Sequence, residues 1–173
     1  MGTTSMKSKG YYDILEREGM HPPVTMRING ADVFPGMPVT VNGETWPDVC
    51  LPDAVGEEVL GVTGLLENQD IGTVYADNSE VPVYFTGHGA IVRMYASATS
   101  GTYIYAGEIL VADGPGAVGY VQTLRKAIDA LAADYTSTLM ATTITHLFSI
   151  LGRAQETHAS SGTVDPIRVL LSV

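Results

Sequence analysis

Turn residues divide this chain into short segments at regular intervals, and that spacing constrains the fold more than any other feature of the sequence. Pairs of Gly, Pro and Asn recur roughly every 8–12 residues and separate runs rich in β-branched and aromatic side chains. Several runs, such as residues 24–28 and 81–85, alternate apolar with polar side chains. Alternation with a period of two is typical of strands with one buried face. The pattern therefore predicts a mainly β fold, a compact barrel or sandwich.

Two Asn-Gly pairs predict tight hairpins. Asn29-Gly30 lies between runs 24–28 and 31–34, and Asn42-Gly43 follows the run at 38–41. Both residues of such a pair tolerate the positive φ that a type I′ turn requires. The remaining runs predict strands at residues 58–66, 90–96, 102–105, 108–112, 146–154 and 166–173, with a polar turn at 156–162. Within the first of these, Gly61 and Gly64 indicate close backbone approaches or a bulge.

One segment has the period of a helix instead. Val121, Leu124, Ile128 and Leu131 recur at intervals of three and four residues. This spacing places them on one stripe and predicts an amphipathic helix inserted at about residues 118–134.

The first 23 residues differ from the rest of the chain and are expected to form an extended N-terminal arm on a β-rich domain of residues 24–173. Within the arm, Tyr11, Ile14 and Leu15 fall on one helical stripe of residues 11–18. A helix shorter than about 12–15 residues is marginal in water. The stripe therefore needs a surface to dock on, and both its own domain and a neighbouring subunit remain open.

Charge excludes several classes of partner. The net charge is -10, charged residues make up only 16% of the chain, and the few Lys and Arg are scattered. Binding to a duplex or an anionic membrane surface needs clustered cations, so neither nucleic acid nor membrane is expected. A single cysteine, Cys50, permits no intrachain disulfide. With no apolar leader near Met1, the chain is expected to be made in a cytoplasm.

Motifs for catalysis and cofactor binding are missing from the sequence. The four histidines, His21, His88, His146 and His158, show none of the spacings of a zinc site. The glycine-rich stretch at 115–119 lacks the P-loop lysine, and no nucleophile elbow is present. We therefore expect no enzyme activity, no metal and no cofactor.

Aromatic residues are the stronger candidates for contact with partners. Trp46, the only tryptophan, stands between Gly43 and Pro47 and is either a plug under its loop or an anchor for a partner. Tyrosines recur along the β portion, where they fit the edge of a core or a subunit interface. The residues expected to contact a partner or a neighbouring subunit are Tyr11, Tyr12, Ile14, Leu15 and Trp46.

The order of the segments carries a resemblance. The β portion starts at Pro35-Gly36 and continues with a strand at Gly61-Val62 and a hairpin entered at Ala106-Gly107 and left at Asp113. A strand at Gly152-Arg153-Ala154 and a hydrophobic last strand follow. Over residues 24–173 this order resembles the small capsid decoration, or head-stabilising, proteins of tailed phages and related archaeal viruses.

The resemblance implies a structural role in the virion. Such a protein binds the outer surface of an assembled capsid, commonly as a homotrimer, with the major capsid protein as its partner. It reinforces the shell against internal genome pressure and lies on the capsid exterior. Two other classes stay open at this point. One is a viral spike, fibre-base or glycan-binding β module, in which Trp46 and Tyr95 would line a groove, and the other is an enzyme whose site assembles from distant residues.

Overall fold

The structure is a computed structural model that describes residues 15–17, 21–30, 32–43, 45–53, 57–66, 69, 72–87, 89–96, 103–113, 119–129, 150–159 and 166–172. It is mainly β, which confirms the prediction from the turn spacing. The strands are β1 (Leu15–Arg17), β2 (Val24–Ile28), β3 (Pro38–Val41), β4 (Asp48–Cys50), β5 (Gly61–Thr63), β6 (Glu80–Phe85), β7 (Ile91–Tyr95), β8 (Tyr103–Ile104), β9 (Ile109–Ala112), β10 (Val121–Thr123), β11 (Ile150–Ala154), β12 (His158–Ala159) and β13 (Pro166–Leu171). Among the described residues there is one helix, α1 (Leu124–Asp129), which follows β10.

Five strands close into a barrel in the order β2-β4-β3-β5-β6. All neighbours in it are antiparallel except β2 and β4, which run parallel. Closure removes the unpaired edges that an open sheet of this size would expose. The side chains that fill the interior are apolar and buried, among them Met26, Ile28, Val39, Val49, Val81 and Val83.

A six-stranded sheet forms the second layer, in the order β1-β7-β13-β11-β9-β10. It is strongly curled, because Val121 of β10 returns to Ala96, just beyond β7, through an isolated parallel bridge. The concave face encloses the larger core, which includes Met94, Leu110 and Leu151. A two-stranded sheet of β8 and β12 completes the strands.

The wall of the barrel forms part of the second core. Along β6 the side chains of Val81 and Val83 point into the barrel, whereas Tyr84 packs against the core of the curled sheet. Val62 on β5 does the same and is completely buried. Because successive side chains of a strand point to opposite faces, β5 and β6 contribute to the barrel interior on one face and to the core of the curled sheet on the other. The two layers therefore share apolar contacts.

The close approach predicted at Gly61 is present. A Cβ on Gly61 would meet the backbone of Tyr84 and Phe85 on the neighbouring strand. At Gly64 it would meet the side chains of Tyr84 and Pro82. Both glycines therefore allow the chain to pass close to β6.

The helix predicted in the arm is wrong at its C-terminal end. Residues Leu15–Arg17 form strand β1, which pairs antiparallel with β7 through Leu15 and Val92. A short isolated helix gains little in water, whereas the edge of β7 offers unpaired backbone groups that a strand can satisfy. This part of the arm docks on its own domain. Residues 11–14 and 18 lie outside the described residues.

The inserted helix begins later than predicted. Residues Val121–Thr123 are strand β10, paired with β9, and the helix starts at Leu124. The reason is a local cap, since the Thr123 hydroxyl accepts a hydrogen bond from the Lys126 amide at 3.1 Å. This is the N-cap geometry that fixes a helix start. Residues 130–134 of the predicted helix lie outside the described residues.

One of the two predicted hairpins is wrong. The strand before Asn29-Gly30 pairs with β4 and β6, and residues 32–34 form no strand. The Asn29 amide donates instead to the Val49 carbonyl at 2.8 Å, which carries the chain onward beside β4.

At Asn42-Gly43 a hairpin is present, because β3 pairs antiparallel with β4. Its connection is longer than the predicted two-residue turn, since Val41 pairs with Val49, and only Gly43 of the two turn residues has a positive φ, of 59°. The sequence did not predict β4 itself. Nor did it predict β12, which lies within the expected polar turn at 156–162 and pairs with β8.

Candidate functional site

Trp46 lies at one end of the barrel, which we call the open end. Strand β4 begins there, two residues after Trp46, and β6 finishes there at Phe85. The Trp46 residue is 58% exposed, and its ring meets that of Phe85 edge-on, with centroids 6.5 Å apart. A side chain this exposed is not a plug beneath its own loop. Of the two interpretations of Trp46, the anchor for a partner remains.

The backbone around Trp46 is fixed on both sides. The Thr45 amide donates to the Asn42 carbonyl at 3.2 Å, and the Asp48 amide donates to the Thr45 carbonyl at 2.8 Å. The Arg27 amide reaches the Pro47 carbonyl at 3.1 Å. The indole is therefore presented from a hydrogen-bonded turn, and ordering it on binding costs little conformational entropy.

An ion pair lies beside this turn. The Arg27 Nε donates to Oδ1 of Asp48 at 2.6 Å, and Asn29 reaches the other carboxylate oxygen at 3.4 Å. The Asp48 side chain is only 5% exposed, so its charge depends on these partners. The hydrogen bond from Arg27 holds the pKa of Asp48 below its ordinary value. The pair joins β2 to β4 where the turn enters the barrel.

The opposite end of the barrel, which we call the closed end, holds an aromatic residue of another kind. Tyr75 is 3% exposed; its amide donates to the Val33 carbonyl at 2.9 Å and its hydroxyl donates to the Gly64 carbonyl. Burial raises the pKa of Tyr75 far above its ordinary range. Tyr75 and Val33 together seal the barrel at this end.

A shallow depression of about 470 Å³ lies outside the closed end, lined by Asn29, Gly30, Asp32, Val74, Tyr75 and Asp77. One of its carboxylates, Asp77, already accepts a hydrogen bond from the Gly30 amide at 3.2 Å. Among the described residues no group of three or more His, Cys, Asp or Glu side chains is placed to hold a metal ion.

A second exposed aromatic site lies on the curled-sheet layer. The rings of Tyr103 and Tyr105 stack with centroids 6.2 Å apart, and the two residues are 53% and 50% exposed. The turn that follows is tied by Glu108, whose carboxylate accepts from the Tyr105 amide at 2.7 Å and pairs with Arg125 at 2.9 Å. This turn connects the tyrosines to α1.

Other tyrosines of the series have a packing role, as the core-edge interpretation predicts. Tyr95 and Tyr120 meet edge-on, with centroids 6.3 Å apart, beside the bridge that closes the curled sheet. Burial raises the pKa of Tyr95. The groove proposed for a glycan-binding module needed Trp46 and Tyr95 together. Their ring contacts lie on different layers, with Phe85 and Tyr120 respectively.

The predicted contact residues are not brought into one described site. Leu15 lies on β1 at the edge of the curled sheet, whereas Trp46 lies on the barrel. Tyr11, Tyr12 and Ile14 lie outside the described residues. The stacked tyrosines belong to the tyrosine series of the β portion, but sequence reasoning did not select them as contact residues. Their spacing of two in the strand predicted at 102–105 would have placed both on one face.

Cys50, at the end of β4, is partly buried. Burial, assisted by the nearby carboxylates of Glu57 and Asp53, raises the pKa of the Cys50 thiol, which disfavours the nucleophilic thiolate. His88 and His146 lie outside the described residues. Within the described part of the chain, no helix has the length and apolar character needed to cross a bilayer.

Comparison with known proteins gives no assignment. No protein-family model matches the sequence, and a search of curated proteins finds no relative of it.

Proposed function

We propose that this chain is a structural virion protein that binds the outer surface of an assembled capsid and stabilises the shell against internal genome pressure. In this role it is not an enzyme and needs no cofactor. Its partners are the major capsid protein and further copies of itself in a homotrimer. The proposal starts from the segment order, which resembles that of capsid decoration proteins, and the barrel with its curled sheet is compatible with it.

The observation that carries the proposal is the presentation of Trp46. A large aromatic side chain that is 58% exposed on a hydrogen-bonded turn is a poor contribution to the chain's own stability. The exposed indole can instead contribute to an interface, because tryptophan is enriched among the residues that dominate binding. Arg27, whose amide donates to the Pro47 carbonyl of the same turn and whose side chain is 44% exposed, adds a polar group of the kind found at interface rims.

The shell would be reinforced because binding is thermodynamically linked to its expanded state. A protein that binds only the expanded shell stabilises that state by mass action. A trimer presents three copies of each contact, so that modest single-site affinities combine into firm attachment. An acidic surface keeps such a densely displayed protein soluble.

The first experiment is co-purification. If the proposal is right, the protein accompanies virions at a fixed ratio to the shell protein, and purified protein binds expanded empty capsids of that virus saturably. Sedimentation equilibrium tests the trimer. A protein that stays monomeric and shows no saturable binding to the capsids would overturn the proposal.

Variants at the two ends of the barrel then locate the contact. Trp46→Ala is expected to weaken capsid binding by at least about tenfold, the effect of a typical interface tryptophan. Val74→Ser removes another exposed hydrophobic residue, one on the closed end, and serves as the matched control with unchanged binding.

The role of the arm is tested with a deletion shorter than its whole length. Removing residues 1–22 would also remove β1 and uncover the edge of β7. Deleting residues 1–14 leaves β1 in place, so lost capsid binding with an unchanged melting temperature would assign a contact to this segment, which contains Tyr11, Tyr12 and Ile14. Undiminished binding would remove these residues from the mechanism.

A further inference from the structure

A groove of about 380 Å³ lies between β9, β10 and α1, on the curled-sheet layer. Its walls are mostly apolar, with Ile109, Leu124 and Ile128 facing it, and the Glu108–Arg125 ion pair forms its polar rim. The three aliphatic side chains are only partly buried. A groove of this size accommodates one or two large aliphatic side chains from another molecule.

Cations concentrate around this groove in a chain that is otherwise strongly acidic. Arg125 and Lys126 lie on α1, and Arg153 donates through Nη1 to the Gly107 carbonyl at 2.9 Å, next to Glu108. Against these three cations stand two carboxylates, Glu108 at the rim and Asp129 at the end of α1, so this set of residues carries a net charge of +1 in a chain of net charge -10. The local field therefore favours an acidic partner over a basic one.

Arg125 is placed to meet such a partner. Its guanidinium bonds one oxygen of Glu108 at 2.9 Å, yet the side chain is 61% exposed. Guanidinium carries five N–H donors in a fixed fork, so the exposed remainder of the fork can bind a second carboxylate. The Glu108 carboxylate meanwhile holds Arg125 in position over the apolar wall.

We propose that this groove is a docking site for an acidic segment of a partner polypeptide, which inserts an aliphatic side chain between Ile109, Leu124 and Ile128 and places a carboxylate on Arg125. The stacked rings of Tyr103 and Tyr105, joined to the groove through the Tyr105–Glu108 hydrogen bond, provide apolar surface next to it. The site is separate from the Trp46 end of the barrel and does not depend on the capsid role.

A peptide fits this surface better than a nucleic acid does. Phosphate backbones are bound by runs of cations along a groove, whereas one of the cations here is already paired with Glu108 and the walls are apolar. An aliphatic side chain between two carboxylates uses both features at once.

The test uses the full chain, ¹⁵N-labelled, and the acetylated hexapeptide Asp-Asp-Leu-Leu-Asp-Asp as the probe. Amide shifts are expected at Ile109, Thr123, Leu124 and Ile128 as the peptide is added. Two altered peptides separate the contributions. Replacing both leucines by alanine, or all aspartates by asparagine, should each weaken binding at least about threefold.

Neighbouring residues on α1 give matched protein variants. Arg125→Ser should weaken binding of the acidic peptide about three- to fivefold, the range of an exposed charge pair. Lys126→Ser removes the same charge one residue away, outside the groove lining, and should change binding less than twofold. Both variants alter exposed or half-buried polar positions, so folding is readily confirmed from the unchanged remainder of the spectrum.

Four outcomes would overturn the proposal. They are shifts that map elsewhere or are missing at millimolar peptide, equal binding of the asparagine peptide, equal loss in the two variants, and a thymidine hexanucleotide that produces the same shifts at lower concentration. The last would make the patch a phosphate site.

Discussion

The two ends of the barrel each carry an aromatic residue, and the two are used in opposite ways. At the closed end, Tyr75 is buried, and both its amide and its hydroxyl donate hydrogen bonds to carbonyls of the surrounding loops. At the open end, Trp46 is mostly exposed and touches Phe85 only edge-on. The larger ring thus lies where it removes less apolar surface from water.

Tyr75 contributes to the stability of the fold, whereas Trp46 remains available for contact with another molecule. Burying an aromatic side chain is among the largest single contributions to a core, provided that its polar atom finds a partner. Tyr75 meets both conditions, whereas the indole of Trp46 keeps most of its surface for another molecule. The closed end should therefore tolerate substitution poorly, and the open end should tolerate it well.

The strongest test of the comparison is Tyr75→Ala. Removing a buried aromatic side chain leaves a cavity and is expected to lower the free energy of unfolding by about 3–5 kcal/mol. Urea denaturation measures it. A loss below about 1 kcal/mol would mean that the closed end does not depend on Tyr75, and the comparison would fail.

At the open end, the backbone is expected to tolerate substitution less well than the aromatic side chain does. At Gly61 an added Cβ would meet the backbone of Tyr84 and Phe85, so Gly61→Ala should cost about 1–3 kcal/mol through overpacking. Gly72→Ala is the control, because a Cβ there meets nothing within 4 Å. If both variants melt at the same temperature, β5 and β6 do not approach each other closely enough at Gly61 to exclude a methyl group.

Alkaline pH gives a third test, specific to the closed end. Because burial raises the pKa of Tyr75, the folded state keeps a proton that the unfolded state releases above its ordinary pKa of about 10. The stabilisation from this retained proton is complete below that pH and is lost progressively as the pH rises from there towards the raised pKa of the folded state. The slope is at most about 1.4 kcal/mol per pH unit for this proton.

Tyr75→Phe identifies the group responsible. This variant should flatten the alkaline loss measured by urea denaturation at pH 9 to 11. A part remains, because burial also raises the pKa of Tyr95. An unchanged slope in the variant would show that Tyr75 ionises alike in both states.

Sequence reasoning predicted the parts of this fold that depend on local patterns. The local pattern of side chains was sufficient to place β2, β3, β6, β7 and β13, and Asn42-Gly43 marked where β3 ends. The errors occurred where a distant partner decided the outcome. Residues Leu15–Arg17 adopt a strand because β7 offers an edge, and β12 has only two residues, each paired with β8.

The candidate sites were less predictable for the same reason. Trp46 stood out because it is the only tryptophan, but its exposure depends on how β4 enters the barrel. The groove beside α1 draws on β9, β10 and α1, and the cap at Thr123 that sets where α1 begins is a local contact that the helical period concealed.

The smallest expected effect is on stability at the open end, and it sharpens the comparison most. Trp46→Ala removes an edge contact with Phe85 and little buried area, so the free energy of unfolding should fall by less than about 1 kcal/mol. Urea denaturation beside Tyr75→Ala gives the ratio between the two ends. Trp46→Phe keeps an aromatic ring and should lie between the wild type and the alanine variant. A loss of about 3 kcal/mol or more would show that Trp46 is a structural residue, and its role as an anchor for a partner would lose its physical basis.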